Sequence, residues 1–232
     1  MREEAQCQLK FIETVKLIKE KCDIIINLTT SGDLNATEDD RQAHLKILKP
    51  ELASYDCGTM NWMNNSLFIN HPLFLEKLGK TMLENIIKPG KILIERGVKP
   101  EIEVFDTSFI YNAKYYIKKG ILKAPAHFQF ILGAAGGIAA TINNLVYLKS
   151  LIPENSTWGA LGIGKAHVPI MLATVAMGGH LRVGMEDNVY YGPGVLAKSN
   201  SQLVKRATDI VKIAGNDIAT VEDVREIFKL TK

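Results

Sequence analysis

Short apolar runs alternate with longer stretches of helical periodicity along the whole chain. Six runs, each bounded by Gly, Pro, Asp or Asn, are predicted as strands: 23–30, 51–59, 101–107, 126–132, 157–163 and 180–186. Apolar residues at helical spacing predict helices over 2–21, 37–48, 71–96, 108–119, 141–150, 165–177, 199–214 and 220–229. Unbroken alternation of strand and helix predicts a parallel sheet with helical crossovers. Because no Ser/Gly linker divides the chain, residues 1–232 are interpreted as one domain.

The ends of the predicted strands help to choose between two parallel architectures. Nearly every strand finishes in a polar cluster, namely TTSGD, DCGTMN, EVFDT, LGAAGG, GIGKAH and MEDN. An open doubly wound sheet gathers its ligand groups at one switch point, whereas a barrel collects them from many strand ends at its C-terminal mouth. We therefore predict an α/β fold of the (β/α)8 TIM-type barrel that lacks the first two βα units. Either the native polypeptide is longer, or something else fills the gap.

Composition and charge narrow the class of protein. The chain has 28 basic and 25 acidic residues, a net charge of +3, and no block of like charge, which argues against a nucleic-acid partner. Three cysteines without C-x-x-C spacing favour a reducing cytoplasm over a disulfide scaffold. No apolar run approaches the ~18 residues of a membrane span, and the first residues contain no apolar signal core. We expect a cytoplasmic protein with no membrane partner.

The last predicted strand ends in two adjacent acids, Glu186 and Asp187, within the run HLRVGMEDN. Arg182 has the same strand parity as Glu186, so both are expected to point into the barrel. A buried arginine there needs an acidic partner. These residues fit either a catalytic site or an ion network that holds the last strand in place.

Other strands contribute further polar candidates. Glu103 and Asp106 are three residues apart and cannot both face inward on a regular strand, so Asp106 is a candidate cap for the next helix. Ser54 and Asp56 are two residues apart and share a face.

Two loops after predicted strands have groups suited to anions. Thr30 and Ser31 end the first strand, where hydroxyls and backbone N–H groups can bind a carboxylate or form a turn and an N-cap. The glycine-rich turn GAAGGIAAT (133–141) suits phosphate at a helix N-terminus, or close packing of the loop on the barrel. It is not a G-x-G-x-x-G motif and has no Walker lysine, so it is not a nucleotide fingerprint.

Six sequence blocks, in order, resemble a known family. They are NLTTSGD (27–33), GTMNW (58–62), EVFDT (103–107), HFQFILGAAGG (127–137), WGALGIGKAH (158–167) and GGHLRVGMEDN (178–188). Together they are similar to the beta-keto acid cleavage enzymes, from about residue 10 onward. The resemblance implies a zinc-dependent barrel that assembles into homo-oligomers, typically tetramers. It also implies a reaction of a β-keto acid with acetyl-CoA that gives acetoacetate and a new acyl-CoA, and a role in lysine degradation.

The resemblance also assigns roles to individual residues. Glu186 matches the family's zinc-binding glutamate, Asp187 matches the proton-abstracting aspartate, and Arg182 matches the arginine that orients it. Glu103 matches an active-site glutamate, and Asp56 stands where the family often has asparagine. The implied substrate-binding residues are Thr30, Ser31, Ser54 and Asp56. The implied acetyl-CoA contacts are Gly136, Gly137 and Lys165.

The family's two other zinc ligands, an H-x-H pair on the second strand, have no counterpart in this chain. His180 lies six residues before Glu186 on the predicted strand, ~20 Å away at 3.3 Å per residue, and no histidine here forms an H-x-H. One hypothesis is therefore an acyltransferase whose native chain has an upstream H-x-H. The other is an inactive remnant, or a subunit completed by another polypeptide. A lysine-based aldolase is discarded because no predicted strand has a lysine in its body.

Overall fold

The computed structural model of the protein describes residues 2–30, 38–58, 90 and 92–230. Its main sheet consists of β1 (Asn27–Leu28), β2 (Leu52–Asp56), β3 (Lys99–Val104), β4 (His127–Leu132), β5 (Thr157–Gly162) and β6 (His180–Leu181). The helices are α1 (Arg2–Lys21), α2 (Glu38–Leu48), α3 (Thr107–Lys118), α4 (Ile142–Leu151), α5 (His167–Ala176), α6 (Asn200–Ile213) and α7 (Val221–Phe228). A 3-10 turn (Gly164–Ala166) precedes α5, and a hairpin of β7 (Tyr190–Gly192) and β8 (Val195–Leu196) precedes α6. The predicted helix 71–96 lies outside the described residues except for 90 and 92–96, of which 90 and 92–95 are helical.

The six strands lie side by side in sequence order, and every neighbouring pair is parallel. A doubly wound sheet would reverse its strand order at a switch point, and this sheet does not. The strands instead form a curled half-barrel with helices on the outside. The predicted fold class, a (β/α)8-type barrel represented by six parallel strands, is therefore confirmed.

Alternation along the central strands places apolar side chains outside and polar ones inside. On β3 and β4 the outward positions are Ile102, Val104, Phe128 and Phe130, all 0–1% exposed, and they pack with helix residues such as Ile110 in one hydrophobic core. The inward positions of the same strands are polar. The hydrophobic core therefore lies between sheet and helices, and the inner face of the sheet is left for chemistry.

The amphipathic pattern of α1 also behaves as expected. Val15 is buried, while Phe11 and Ile18 pack at the edge of the core, as their spacing predicts. The Phe11 ring stacks on His44 of α2 with ring centroids 4.6 Å apart. Among the described residues, no helix combines the length and apolar character needed to cross a bilayer.

The two outermost strands are shorter than predicted. β1 covers two residues of the predicted 23–30, and β6 covers two of the predicted 180–186. An outermost strand has a neighbour on one side only, so fewer of its residues complete a ladder. After Leu181 the chain leaves the sheet, and a turn follows in which the N–H groups of Asp187 and Asn188 donate to the Gly184 carbonyl. The prediction of a regular strand to Glu186 was wrong, so its parity argument and the ~20 Å spacing from His180 do not apply.

β3 begins two residues earlier than predicted and includes Lys99. The predicted strand 101–107 has no lysine in its body, and the observed β3 has Lys99 as its first residue only. The Lys99 ammonium donates to the Pro125 carbonyl at 2.5 Å. Lys99 is the first residue of β3, so it lies at the opposite end of the strand from the C-terminal mouth. This placement gives no support to a lysine-based aldolase.

Helix α7 covers the N-terminal end of the strands. Phe228 is 8% exposed, and its ring stacks on His127 of β4 with centroids 4.2 Å apart. Arg225 donates to Glu51, just before β2, at 2.9 Å and to Glu222 at 2.8 Å. A capping box between Thr220 and Asp223 starts the helix.

We expect Phe228→Ala to reduce the free energy of unfolding by about 3–5 kcal/mol, because it removes a buried aromatic ring from the contact between α7 and the sheet. Urea denaturation followed by circular dichroism measures the change. Glu226→Ala on the exposed face of the same helix is the control and should change little. Equal stability of the two variants would show that α7 does not hold the base of the barrel.

Candidate active site

The inner face of the half-barrel encloses a cavity of about 2250 Å³, which we call the inner cavity. Its wall consists of inward side chains of β1 to β6, the segment after β6, and parts of α6 and α7. This volume exceeds the ~300–1,000 Å³ of ordinary ligand pockets, which fits a half-barrel with an open side.

Strand register arranges the inward side chains in two rows across the sheet. The row nearer the base joins Ser54, Glu101, His127 and Thr157. The row nearer the mouth joins Asp56, Glu103, Gln129 and Gly159. Since neighbouring strands lie ~4.8 Å apart, consecutive members of a row are immediate neighbours.

Arg182 connects three elements at the mouth of the inner cavity. Its NH1 group donates to Glu103 Oε1 of β3 at 2.5 Å. Its Nε and NH2 groups donate to the two oxygens of Asp187, at 3.2 and 3.3 Å. The Glu186 carboxylate lies 4.0 Å from NH2. The planar guanidinium thus fixes Asp187 relative to Glu103 through a forked pair of hydrogen bonds.

Burial and neighbouring charge shift the pKa values of the two carboxyl groups in the row nearer the mouth. Burial, and then the nearby Asp56 carboxylate, raise the pKa of Glu103 to about 7 against the opposing effect of Arg182. Burial raises the pKa of Asp56 to about 6, while Arg182 and Arg41 act to lower it. Asp56 is exposed to the inner cavity, yet the protein atoms around its carboxyl group still reduce its hydration. Such shifts are common where carboxyl groups handle protons or charged ligands.

The turn that presents Glu186 and Asp187 is held by two asparagines. Asn188 accepts from the Gly164 N–H at 2.6 Å and donates to the Gly162 carbonyl at 3.0 Å, which joins the turn to the end of β5. Asn200, the first residue of α6, accepts from the Met185 N–H at 2.8 Å. In this turn the Asp187 side chain is 12% exposed and its carboxylate oxygens accept from Arg182. The Glu186 side chain, in contrast, is 88% exposed.

A family model of beta-keto acid cleavage enzymes matches residues 2–230. The chain belongs to the beta-keto acid cleavage enzyme family. It is 43% identical over 225 residues to 3-keto-5-aminohexanoate cleavage enzyme of Fusobacterium nucleatum, covering 96% of this chain and 77% of the relative. It is 41% identical over 229 residues to the enzyme of the same name from Acetoanaerobium sticklandii, covering 98% of this chain and 79% of the relative.

A less similar relative is named for a different substrate, and a solved structure shares the fold. The chain is 34% identical over 232 residues to 3-dehydrocarnitine:acetyl-CoA trimethylamine transferase of Rhizobium meliloti, covering 90% of this chain and 73% of the relative. Among solved structures it is similar in fold to a ternary complex of ObcA with a C4-CoA adduct and oxalate, with a TM-score of 0.68 and 21% identity. That match covers 91% of this chain, which spans about half of ObcA, 54% of its length.

Two of the three hydroxyl residues predicted to bind substrate, Thr30 and Ser54, are hydrogen-bonded to each other. The Thr30 N–H donates to Ser54 Oγ at 3.0 Å, and Thr30 Oγ1 donates to the Ser54 carbonyl at 2.8 Å. Ser54 lines the inner cavity, whereas Thr30 is not among the lining residues. Ser31 lies outside the described residues. Substrate binding by all three stays a prediction.

The residues predicted to contact acetyl-CoA lie outside the wall of the inner cavity. Gly136 has φ of +94°, and the Gly137 N–H donates to the Ala134 carbonyl at 2.9 Å within the turn after β4. Lys165 lies in the 3-10 turn after β5. None of the three lines the inner cavity, so their role in acetyl-CoA binding stays a prediction.

Sequence reasoning missed several residues of the site. Arg41 of α2 lines the inner cavity, as do Glu101, His127 and Gln129. The alternation of EIEV and HFQF puts these three strand residues on the polar inner face, so the signal was available. Arg41 follows a segment outside the described residues, and no local pattern points to it. Burial lowers the pKa of His127 to about 3, so this histidine is neutral.

The described residues include no group of three or more His, Cys, Asp or Glu side chains placed to hold a metal ion. Glu186 extends its carboxylate into the inner cavity and can serve as one oxygen ligand. Catalytic zinc usually has three protein ligands and one open position. These residues alone therefore do not fit a complete zinc site.

Asp106 directly precedes α3, at the predicted cap position. Its side chain accepts from the Thr107 hydroxyl at 2.9 Å and caps no backbone N–H.

Proposed function

We propose that the protein is a β-keto acid:acetyl-CoA acyltransferase that forms acetoacetate and a new acyl-CoA. The observation that carries the proposal is the Arg182 guanidinium, which joins Asp187 to Glu103 over the inner cavity. Membership of the family and the names of its relatives, which include acetyl-CoA transferases of β-keto acids, support the same reaction.

The overall reaction requires one carbon–carbon bond to form and one to break. Carbon 2 of the keto acid loses a proton and bonds to the acetyl carbonyl carbon, which releases CoA as a thiolate. The thiolate then bonds to carbon 3 as the bond between carbons 2 and 3 breaks. Carbon 2, now part of acetoacetate, regains a proton.

Asp187 is the group proposed to take and return that proton. Its carboxylate is 12% exposed and oriented by two N–H groups of Arg182. A positioned base of this kind contributes about 10²–10⁴-fold to a proton transfer. Glu103 holds the other side of Arg182 and acts as a positioning residue, while Ser54 and Asp56 form part of the substrate wall.

Zinc is proposed as a cofactor that would polarise the substrate's oxygens when bound. Glu186 would supply one ligand. A homotetrameric, cytoplasmic enzyme of lysine degradation is proposed on the same family resemblance.

Purified full-length protein should convert a β-keto acid and acetyl-CoA to acetoacetate, with zinc bound. The checks are mass spectrometry of the products and metal analysis of protein isolated without added metal. Reactions without acetyl-CoA serve as the control. The absence of acetoacetate across acidic, aliphatic and amino-bearing keto acids would contradict the proposal.

A second candidate is a barrel subunit that is inactive alone or completed by another polypeptide. The lack of a three-ligand cluster among the described residues favours it. The intact mass of the endogenous protein tests it, because the enzyme hypothesis expects a chain larger by two βα units, about 50–60 residues in a barrel of this type. A mass of 25.7 kDa with no acetoacetate formed would favour this candidate over the first.

A further inference from the structure

We infer that Asn188 is a positioning residue for Asp187. Its side-chain amide fixes the acidic turn, residues 182–188, against the end of β5. The inference rests on the proposed function, in which Asp187 takes a proton from the keto acid and returns it. Asn188 itself lies outside the wall of the inner cavity, so it acts through its neighbour and does not touch the substrate.

The acidic turn has left the sheet and needs other contacts to hold it in place. β6 ends at Leu181. Within the turn, the N–H groups of Asp187 and Asn188 donate to the Gly184 carbonyl at 3.2 and 3.0 Å. These bonds, like those from Arg182 to Asp187, join residues of the turn to one another. They give the turn its shape but do not set its distance from the sheet.

The Asn188 amide ties the turn to the sheet from a buried position. The residue is 5% exposed, its Oδ1 accepts from the Gly164 N–H at 2.6 Å, and its Nδ2 donates to the Gly162 carbonyl at 3.0 Å. A backbone N–H only donates and a carbonyl only accepts, so the two bonds together define the orientation of the amide. An ionised aspartate at this position could not donate to Gly162, and an alanine could make neither bond.

The groups that receive the Asn188 amide belong to a tightly packed part of the barrel. Gly162 is the last residue of β5, and the next N–H, that of Ile163, donates to the Leu132 carbonyl of β4 at 2.9 Å. A Cβ at Gly162 would lie 2.7 Å from the Ala166 carbonyl oxygen and 2.8 Å from the Ile170 side chain, so little free space remains there. The anchor of Asn188 is therefore fixed to the sheet.

This anchor is one residue away from the proposed base. Consecutive Cα atoms are 3.80 Å apart, so holding Asn188 leaves Asp187 little freedom to move relative to the sheet. Asn200 also holds the turn, through the Met185 N–H, but that contact is exposed. Without the Asn188 amide, Asp187 can shift away from carbon 2 of the substrate. A misplacement of about 1 Å costs as much as ~10²-fold in rate.

The kinetic test asks whether Asn188 acts through Asp187, using the full-length protein. We expect Asn188→Ala to lower kcat for acetoacetate formation about 10- to 100-fold and to change KM for either substrate less than about threefold. In the Asp187→Asn background, the same substitution should change kcat less than about threefold, because residues that act as a unit are not additive. Asn144→Ala, which removes an amide that donates to the Ala139 carbonyl at 2.8 Å outside the cavity wall, is the matched control.

Hydrogen exchange followed by mass spectrometry tests the position of the turn without any turnover. Peptides that cover 182–188 should exchange faster in Asn188→Ala and not in Asn144→Ala, while peptides of β4 stay protected in both and so exclude global unfolding. Faster exchange in a protein that makes no acetoacetate supports the positioning role while the proposed function fails. Unchanged exchange of the turn would overturn the inference. Losses that multiply in the double variant would also overturn it, with the proposed function left standing.

Discussion

Asp187→Asn is expected to reduce kcat by about 10²–10⁴-fold, the usual contribution of a positioned general base. Asparagine has the same shape and can still accept from Arg182, but its amide oxygen cannot take a proton from carbon. The loss should appear in kcat and kcat/KM alike, since the base acts only in the transition state. Steady-state assays of acetoacetate formation measure both constants.

Folding must be excluded as the cause of that loss. Thermal melts of Asp187→Asn should remain close to those of the unaltered protein, because the turn is held by Asn188 and Asn200. Proton exchange at carbon 2 of the keto acid, measured without acetyl-CoA, should disappear in the variant. Retention of that exchange would show that another group is the base.

The central strands could be predicted from sequence because their two faces differ chemically. On β3 and β4, apolar residues alternate with Glu101, Glu103, His127 and Gln129, and the structure places these four on the inner wall. Alternation with period two needs no tertiary information. The polar strand ends likewise indicated a barrel rather than an open sheet. The contact of Arg182 with Asp187 was expected from the family resemblance, whereas its contact with Glu103 was not predicted.

The edges of the sheet were harder to predict, for a physical reason. β1 and β6 have apolar sequences typical of strands, yet each pairs with one neighbour in the described residues and extends for only two residues. Sequence patterns report local preference, whereas strand length depends on the partner. Arg41 was missed because helix α2 brings it to the cavity from outside the sheet. Such a contact depends on how a helix packs and leaves no mark on neighbouring positions.

The pairing of Asp56 with Glu103 also needed the register between strands. Their spacing in sequence, across a long connection, gives no distance, but the β2–β3 ladder makes them direct partners. Register follows from packing of the outward apolar row, because a one-residue shift would turn that row into the cavity. The charge of the cavity is therefore a consequence of the hydrophobic core on the other side of the sheet.

Arg182→Lys is expected to reduce kcat/KM by about 100-fold, because small misplacements of a catalytic group have effects of that size. A lysine keeps the charge but lacks the planar fork, so it cannot hold Glu103 and both oxygens of Asp187 at once. Arg182 lowers the pKa of Glu103, which is about 7 in the unaltered protein. With that contact weakened, the pKa of Glu103 should rise. When the pH is lowered, activity that needs ionised Glu103 should then be lost at a higher pH than in the unaltered protein.

The pH dependence of kcat/KM distinguishes a positioning role from a general loss of stability. The acidic limb, expected near pH 7 in the unaltered protein, should move upward in Arg182→Lys. Arg225→Lys is the matched control, because Arg225 also binds two carboxylates, Glu51 and Glu222, but lies at the base of the barrel outside the cavity wall. It should leave the acidic limb in place. If both variants shifted the limb equally, or if Arg182→Lys lost activity at an unchanged limb, the guanidinium would not be the group that sets the ionisation of Glu103.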